Sequence, residues 1–283
     1  MTMMTVLPLE SRRKIFTFLF AVFYHLSLKH RIITISNLAR AFPEKELFEI
    51  IKISKAVYRH LGLVAAETFE IPALTRANMS KLIDIDTIDE TLRKLPGDGP
   101  LILFTGHYGN WELLAATLAI LARPITVIYR PLDSAALEDL LVWIRTSRGN
   151  YVLPKERAML PIVRRLRKGE VVGILIDQNM AWQEGVFVDF FGLPACTTDG
   201  LALMALRSDI PVIPAFMVRS PSGKYRLIVE DPVPVVKTGD KNRDVITNTQ
   251  NFTRVIEDVI KKYPEQWLWI HQRWKTKELQ VRR

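Results

Sequence analysis

The chain has 283 residues, 48% of them apolar and 24% charged, with a net charge of +9 and one cysteine, Cys196. That length and balance fit a globular protein with a sizeable core. They exclude a disordered chain, a disulfide-framed miniature domain and a cysteine-rich metal site, and point to a reducing compartment. The charge is uneven. Residues 1–31 hold five Lys/Arg against Glu10, and residues 261–283 hold seven against Glu265 and Glu278, so the two ends carry the whole excess and residues 32–260 are neutral. Basic ends on a neutral body suit an anionic surface, whether membrane, nucleic acid or an acidic partner.

In chain order, the first predicted element is the apolar run Ile15–Leu28, IFTFLFAVFYHLSL. It falls short of the roughly 20 residues of a straight membrane span. Basic residues precede it, as in a signal peptide, but Lys29, His30 and Arg31 follow it where a small-residue cleavage site would stand. Aromatic residues between basic clusters predict a helix lying in the membrane interface, with a buried core helix as the alternative. Residues 1–31 are therefore read as an anchor and 32–283 as one catalytic domain. Helices broken at Pro43 and Pro72 are expected over residues 36–80. Beyond them PLILFTG, PITVIYR, VVGILID, GVFVDFFG, PVIPAFMVR and KYRLIVE read as strands, and WELLAATLAILA, SAALEDLLVWIRTSR, RAMLPIVRRLRKG and DGLALMALRS as helices. This alternation predicts an α/β fold with a mainly parallel sheet covered by helices.

The stretch TGHYGNWELL, residues 105–114, stands at the first strand-to-helix junction. Functional groups gather where strands of a parallel sheet end, which is where His107 falls. Gly106 and Gly109 permit a tight turn. Asn110 can cap a helix beginning near Trp111, placing Glu112 in its first turn. A carboxylate on one imidazole nitrogen fixes the tautomer and frees the other nitrogen to take a proton from a hydroxyl. The plainer alternative is a glutamate favoured at a helix start by the dipole, beside an ordinary turn histidine. Arg130 and Asp177 also follow predicted strands, so with His107 they can line one edge of the sheet.

Four ordered blocks carry a resemblance. HYGNWE matches a His-x4-Asp/Glu motif, and IYRPLDSAALEDLLVWIRTSRG, ILIDQNMAWQEGVFVDFFGLPACTT and PEQWLWIHQRWKT follow it, with SNLARAFPE upstream. Together they resemble the bacterial lipid A biosynthesis acyltransferases (lauroyl and myristoyl transferases) and their phospholipid- and phosphatidylinositol mannoside-acyltransferase relatives, from about Arg31 to Lys277. The resemblance implies a glycerol-3-phosphate-acyltransferase-like fold. It also implies transfer of a fatty acyl chain from acyl-carrier protein or acyl-CoA to a hydroxyl of a membrane glycolipid or phospholipid, at the cytoplasmic face of the bacterial inner membrane. It makes His107 the general base and Glu112 its partner, and places Arg130, Arg145, Asp177 and Gln178 in substrate binding. A helix over Ser134–Ser147 would be roughly 20 Å long, setting Arg130 and Arg145 near its opposite ends. Arg145 is therefore either a phosphate ligand or a cation favoured at a helix C-terminus.

Other signals are weaker. Asp189 is either a site residue or a polar position alternating along a strand. Cys196 reads as a packing residue, and Trp267, Trp269 and Trp274 as the packing of a terminal element. His25, His30, His60 and His271 lack metal-ligand spacing, and no phosphate-loop or dinucleotide fingerprint follows a strand, so neither metal nor cofactor is expected. The competing class is a non-catalytic basic module binding anionic lipid or nucleic acid. It has no use for a His-Glu pair at a strand end, and no nucleic-acid motif is present.

Overall fold

The computed structural model describes residues 7–156 and 158–278. Arg282 and Arg283, which contribute to the basic C-terminal segment, lie outside the described residues. The chain divides into two compact units, the first comprising residues up to 16, 62–175 and 210–232 and the second 17–61, 176–209 and 233–283.

The first unit is built on a six-stranded sheet of β1 (Leu101–Thr105), β2 (Ile125–Tyr129), β3 (Tyr151–Pro154), β4 (Val171–Leu175), β7 (Val212–Arg219) and β8 (Tyr225–Val229). The order is β3-β2-β4-β1-β7-β8, parallel except for the edge strand β8. The central strand β1 is buried along its whole length, as expected of a parallel strand covered on both faces. Helices α4 (Ile88–Leu92), α5 (Trp111–Leu121), α6 (Ala135–Thr146) and α7 (Met159–Arg167) flank it. The core joins Leu113, Leu114 and Leu118 of α5 to Leu101, Leu103 and Ile213 of the sheet. Two polar clips add to this packing. Asn150 accepts from the Ile125 amide at 2.9 Å and donates to the Ala115 carbonyl at 2.9 Å, tying β2 to α5. The fully buried Glu67 accepts from Arg13, Arg219 and the Tyr225 hydroxyl.

The second unit holds the hairpin β5 (Gly185–Phe190) and β6 (Leu193–Thr198), α8 (Gly200–Leu206) and the long helix α9 (Lys241–Lys262), which packs on β5. The stretch GVFVDFFG is thus a hairpin arm outside the main sheet. Its turn residues Phe191 and Gly192 both have positive φ, 56° and 72°. The pair of positive values suits a two-residue hairpin loop, with phenylalanine where asparagine is usual. Asp189 is a hairpin residue, its Oδ1 accepting from the Gly192 amide at 3.0 Å. Trp267 and Trp274 are buried against Phe190, and Trp269 against Trp267 and Phe191. Cys196 is fully buried, and burial pushes its thiol pKa up, as in an inert structural cysteine.

The N-terminal run forms two helices, α1 (Leu9–Leu26) and α2 (Leu28–Ala41), bent by 90°. The break is at Ser27, whose backbone leaves helical geometry (φ −92°, ψ 80°) and whose hydroxyl meets His30 Nδ1 at 2.7 Å. Along α1 only Arg12 and Tyr24 are buried. Tyr24 packs on α3 (Leu47–Thr68) through Ser54 and Tyr58. Among the described residues no single helix is long and apolar enough to cross a membrane.

Candidate active site

Between Leu101 and Asn110 every residue is buried except His107, which keeps partial access to solvent. The backbone explains why. The Tyr108 amide donates to the Gly106 carbonyl at 2.7 Å, and the Asn110 amide to the Met217 carbonyl of β7 at 2.9 Å. Gly109 lies between them at φ 60°, pressed against the Met217 carbonyl, where a Cβ would collide with that oxygen. Only glycine meets both demands. Asn110 then caps α5, its side-chain oxygen accepting from the Leu113 amide at 3.0 Å. This sets Glu112 in the first turn, as the sequence predicts.

The Glu112 carboxylate is held by a residue 33 positions away. Arg145, in the last turn of α6, donates from Nε to Oε2 at 2.9 Å and from Nη2 to Oε1 at 2.6 Å. Trp111 Nε1 donates to Oε1 at 3.2 Å, and the same indole packs edge-on to the His107 ring, centroids 5.3 Å apart. One tryptophan therefore touches both His107 and Glu112. The pair is well shielded, with side-chain exposures of 19% for Arg145 and 11% for Glu112. Burial works against the Arg145 charge, but the bonds to Glu112 and the charges of Glu112 and Glu138 outweigh it, so its pKa lies above the ordinary value. Tyr129, ending β2, lies beneath the Arg145 guanidinium at 5.5 Å and donates to Glu138 at 2.6 Å. Burial and Glu138 push its pKa up to about 12.

The remaining predicted residues fall in both units. Arg130 follows β2 at the same edge of the sheet as His107, with its side chain 71% exposed and 3.8 Å from Asp133. Asp177 belongs to the second unit, where it is buried and accepts from Trp267 Nε1 at 2.7 Å. Gln178 receives Arg273 on its backbone carbonyl at 3.3 Å. Arg273, itself fully buried, also donates to the Cys196 carbonyl at 2.8 Å. The loop is completed by Asn179, whose amide donates to His271 Nε2 at 2.9 Å and whose side chain donates to Thr276 at 3.0 Å. The C-terminal segment thus shapes the stretch that carries Asp177 and Gln178. Sequence reasoning passed over Trp111, Tyr129 and Glu138. An aromatic inside the HYGNWE turn and a tyrosine at a strand end were the available signals.

A family model described as bacterial lipid A biosynthesis acyltransferase matches residues 1–276. The chain belongs to that family. This acyltransferase is 29% identical over 247 residues to the lipid A biosynthesis lauroyltransferase of Escherichia coli, covering 85% of the chain and 78% of the relative. It is 26% identical over 246 residues to the palmitoleoyltransferase of the same organism, with 85% and 77% covered. A phosphatidylinositol mannoside acyltransferase of Mycobacterium tuberculosis is 26% identical over 154 residues, 52% of the acyltransferase chain and 48% of the relative. As an acyltransferase, the protein takes an acyl donor and a glycolipid acceptor.

Proposed function

We propose that this acyltransferase moves a fatty acyl chain from an acyl thioester of acyl-carrier protein to a hydroxyl of a lipid A precursor, with His107 as general base and Glu112 as its orienting partner. The observation that carries the reading is His107 itself, half-open in an otherwise buried turn and touching the indole that bonds Glu112. A carboxylate has about four lone-pair sites. Arg145 and Trp111 take three, and the fourth serves the imidazole N–H. The other imidazole nitrogen takes the acceptor proton as the hydroxyl oxygen attacks the thioester carbonyl. Collapse of the tetrahedral intermediate breaks the carbon–sulfur bond, and the proton passes from the imidazolium to the leaving thiolate. Arg145 acts through Glu112, holding its charge where it stabilises the imidazolium. Arg130, exposed at the same sheet edge as His107, meets the acceptor phosphate, and Asp177 and Gln178 are kept as substrate-binding residues.

We place the enzyme on the inner membrane with residues 1–31 as anchor, and the domain of residues 32–283 on the cytoplasmic side, where an acyl-carrier protein donor is available. Phe18, Leu19, Leu26, Leu28, Leu47 and Phe48 are all exposed. Exposed apolar side chains on a segment that also carries Lys29 and Arg31 suit lipid and anionic headgroups. The test is ester formation by detergent-solubilised protein supplied with acyl-carrier-protein thioester and lipid A precursor. Binding to anionic vesicles without turnover in a folded sample favours the non-catalytic module. Deleting residues 1–30 should shift the protein to the soluble fraction at high salt, with turnover on dispersed acceptor partly kept.

A further inference from the structure

Glu138 differs from its neighbours. Among residues 132–139 it alone is not exposed, although it is charged and lies in the first turn of α6. A helix-start glutamate favoured by the dipole alone needs no such shelter. This one turns back along the chain. Its Oε1 accepts from the Tyr129 hydroxyl at 2.6 Å and its Oε2 from the Leu132 amide at 2.9 Å. A capping-box glutamate returns only to the N-cap residue. Glu138 reaches past the N-cap, Ser134, whose own side chain makes no capping bond. One carboxylate thus grips the chain on both sides of Arg130 and Pro131, at the last residue of β2 and in the loop beyond it. Proline's fixed φ removes further freedom from that loop. The Arg130 side chain is 71% exposed and 3.8 Å from a fully exposed Asp133, a contact of little strength, so the loop backbone is what aims it.

The same carboxylate reaches toward the catalytic pair. Tyr129, held by Oε1, lies beneath the Arg145 guanidinium at 5.5 Å, and Arg145 makes both of its bonds to Glu112. The Leu132 amide and the Tyr129 hydroxyl hold the Glu138 carboxyl below the usual carboxylate range, so it is charged at neutral pH. We propose that Glu138 is a positioning residue of acyl transfer, aiming Arg130 at the phosphate of the acceptor headgroup and fixing the tyrosine beneath Arg145. The assignment depends on the reading that His107 catalyses transfer to a phosphorylated acceptor. Glu138 touches no reacting atom. It acts through Arg130 on acceptor affinity and, more weakly, through Tyr129 on the chemical step.

The test compares Glu138→Gln, Glu138→Asp and Glu138→Ala on a phosphorylated lipid A precursor and on the same precursor after phosphatase treatment. Glutamine keeps the length, and its amide accepts from Leu132 through oxygen and donates to the Tyr129 oxygen through nitrogen. Aspartate keeps the charge at the helix start but is one methylene too short to span both partners. Glu138→Ala should raise KM for the phosphorylated acceptor by about tenfold, the worth of one charged hydrogen bond, with KM for the donor unchanged and a smaller fall in kcat. Glu138→Asp should follow alanine and Glu138→Gln should stay near wild type, the reverse of the order a dipole role gives. The aspartate variant keeps the test open should Glu138→Ala fail to fold. The dephosphorylated acceptor should show no such rise, and in an Arg130→Ala background Glu138→Ala should add nothing further to KM. An aspartate variant that behaves like wild type, equal rises on both acceptors, or effects additive with Arg130→Ala overturn the assignment. Binding of the two precursors, followed by tryptophan fluorescence, separates this from failure of the underlying reading. A phosphate-dependent affinity that Glu138→Ala weakens and Arg130→Ala abolishes, without turnover by wild type, overturns acyl transfer at His107 and leaves the positioning role standing. Affinity indifferent to both the phosphate and Glu138 overturns the role.

Discussion

Replacing Arg145 by methionine strips Glu112 of two hydrogen bonds, at 2.9 and 2.6 Å, while keeping most of the side-chain volume. The cost follows from burial. Exposed ion pairs contribute about 0–1 kcal/mol, whereas breaking a fully buried one costs about 3–5 kcal/mol. With exposures of 19% and 11% this pair lies nearer the buried limit. We expect a loss of about 2–3 kcal/mol, because the carboxylate keeps the Trp111 N–H but loses its counter-charge. At about 2–4 °C per kcal/mol for a chain of this size, Tm should fall by roughly 5–10 °C. Arg145→Lys should recover little, since an ammonium cannot reproduce the two-pronged contact. The assay is a double-mutant cycle by thermal and urea unfolding, with Glu112→Gln as the second change. Removing the carboxylate charge relieves the stranded partner, so the double variant should be less destabilised than the sum of the singles by about 1–2 kcal/mol. Additivity to within about 0.5 kcal/mol refutes the reasoning.

Gly109→Ala should be severe, since alanine in a left-handed conformation costs about 1–2 kcal/mol before the collision with the Met217 carbonyl is added. Unfolding curves indistinguishable from wild type would contradict it. Trp267→Phe removes the indole N–H from the buried Asp177 and should destabilise by about 1–3 kcal/mol, measured by urea unfolding. Tyr129 has a folded pKa of about 12, above the ordinary phenol value. Folding thus favours its protonated form, and its contribution is intact below about pH 10 and lost as pH rises through about 12. The stability difference between wild type and Tyr129→Phe should accordingly shrink between those values, and a difference that is flat or grows would contradict the assignment.

Legibility followed sequence range. The β1-to-α5 turn could be read residue by residue because its signals are local: a glycine at each bend, an asparagine cap and a glutamate in the next turn. Strand β3 escaped notice because it is four residues long at the sheet edge with a half-exposed pattern. Strand β6 was hidden by its turn, since phenylalanine at positive φ gives no conventional hairpin signal. Helix α9 was missed because its core face carries Asn248, Thr249 and Thr253 among the apolar positions. The partners of the site residues were out of reach for a different reason. Arg145 meets Glu112 across 33 positions and Trp267 meets Asp177 across 90, and only the folded chain brings such groups together. Helix length alone sets Arg130 and Arg145 near opposite ends of α6 and does not reveal that α6 delivers Arg145 to the first turn of α5.

The central claim is that His107 takes the acceptor proton while Glu112 stabilises the resulting imidazolium. It is tested most directly by single-turnover transfer from acyl-carrier-protein thioester to lipid A precursor, comparing wild type with His107→Ala at matched folding and donor affinity. Loss of a general base lowers the chemical step by about 10²–10⁴-fold, and the account predicts a decrease in that range with the donor still bound. A folded His107→Ala protein that transfers the acyl chain at the wild-type rate would contradict it.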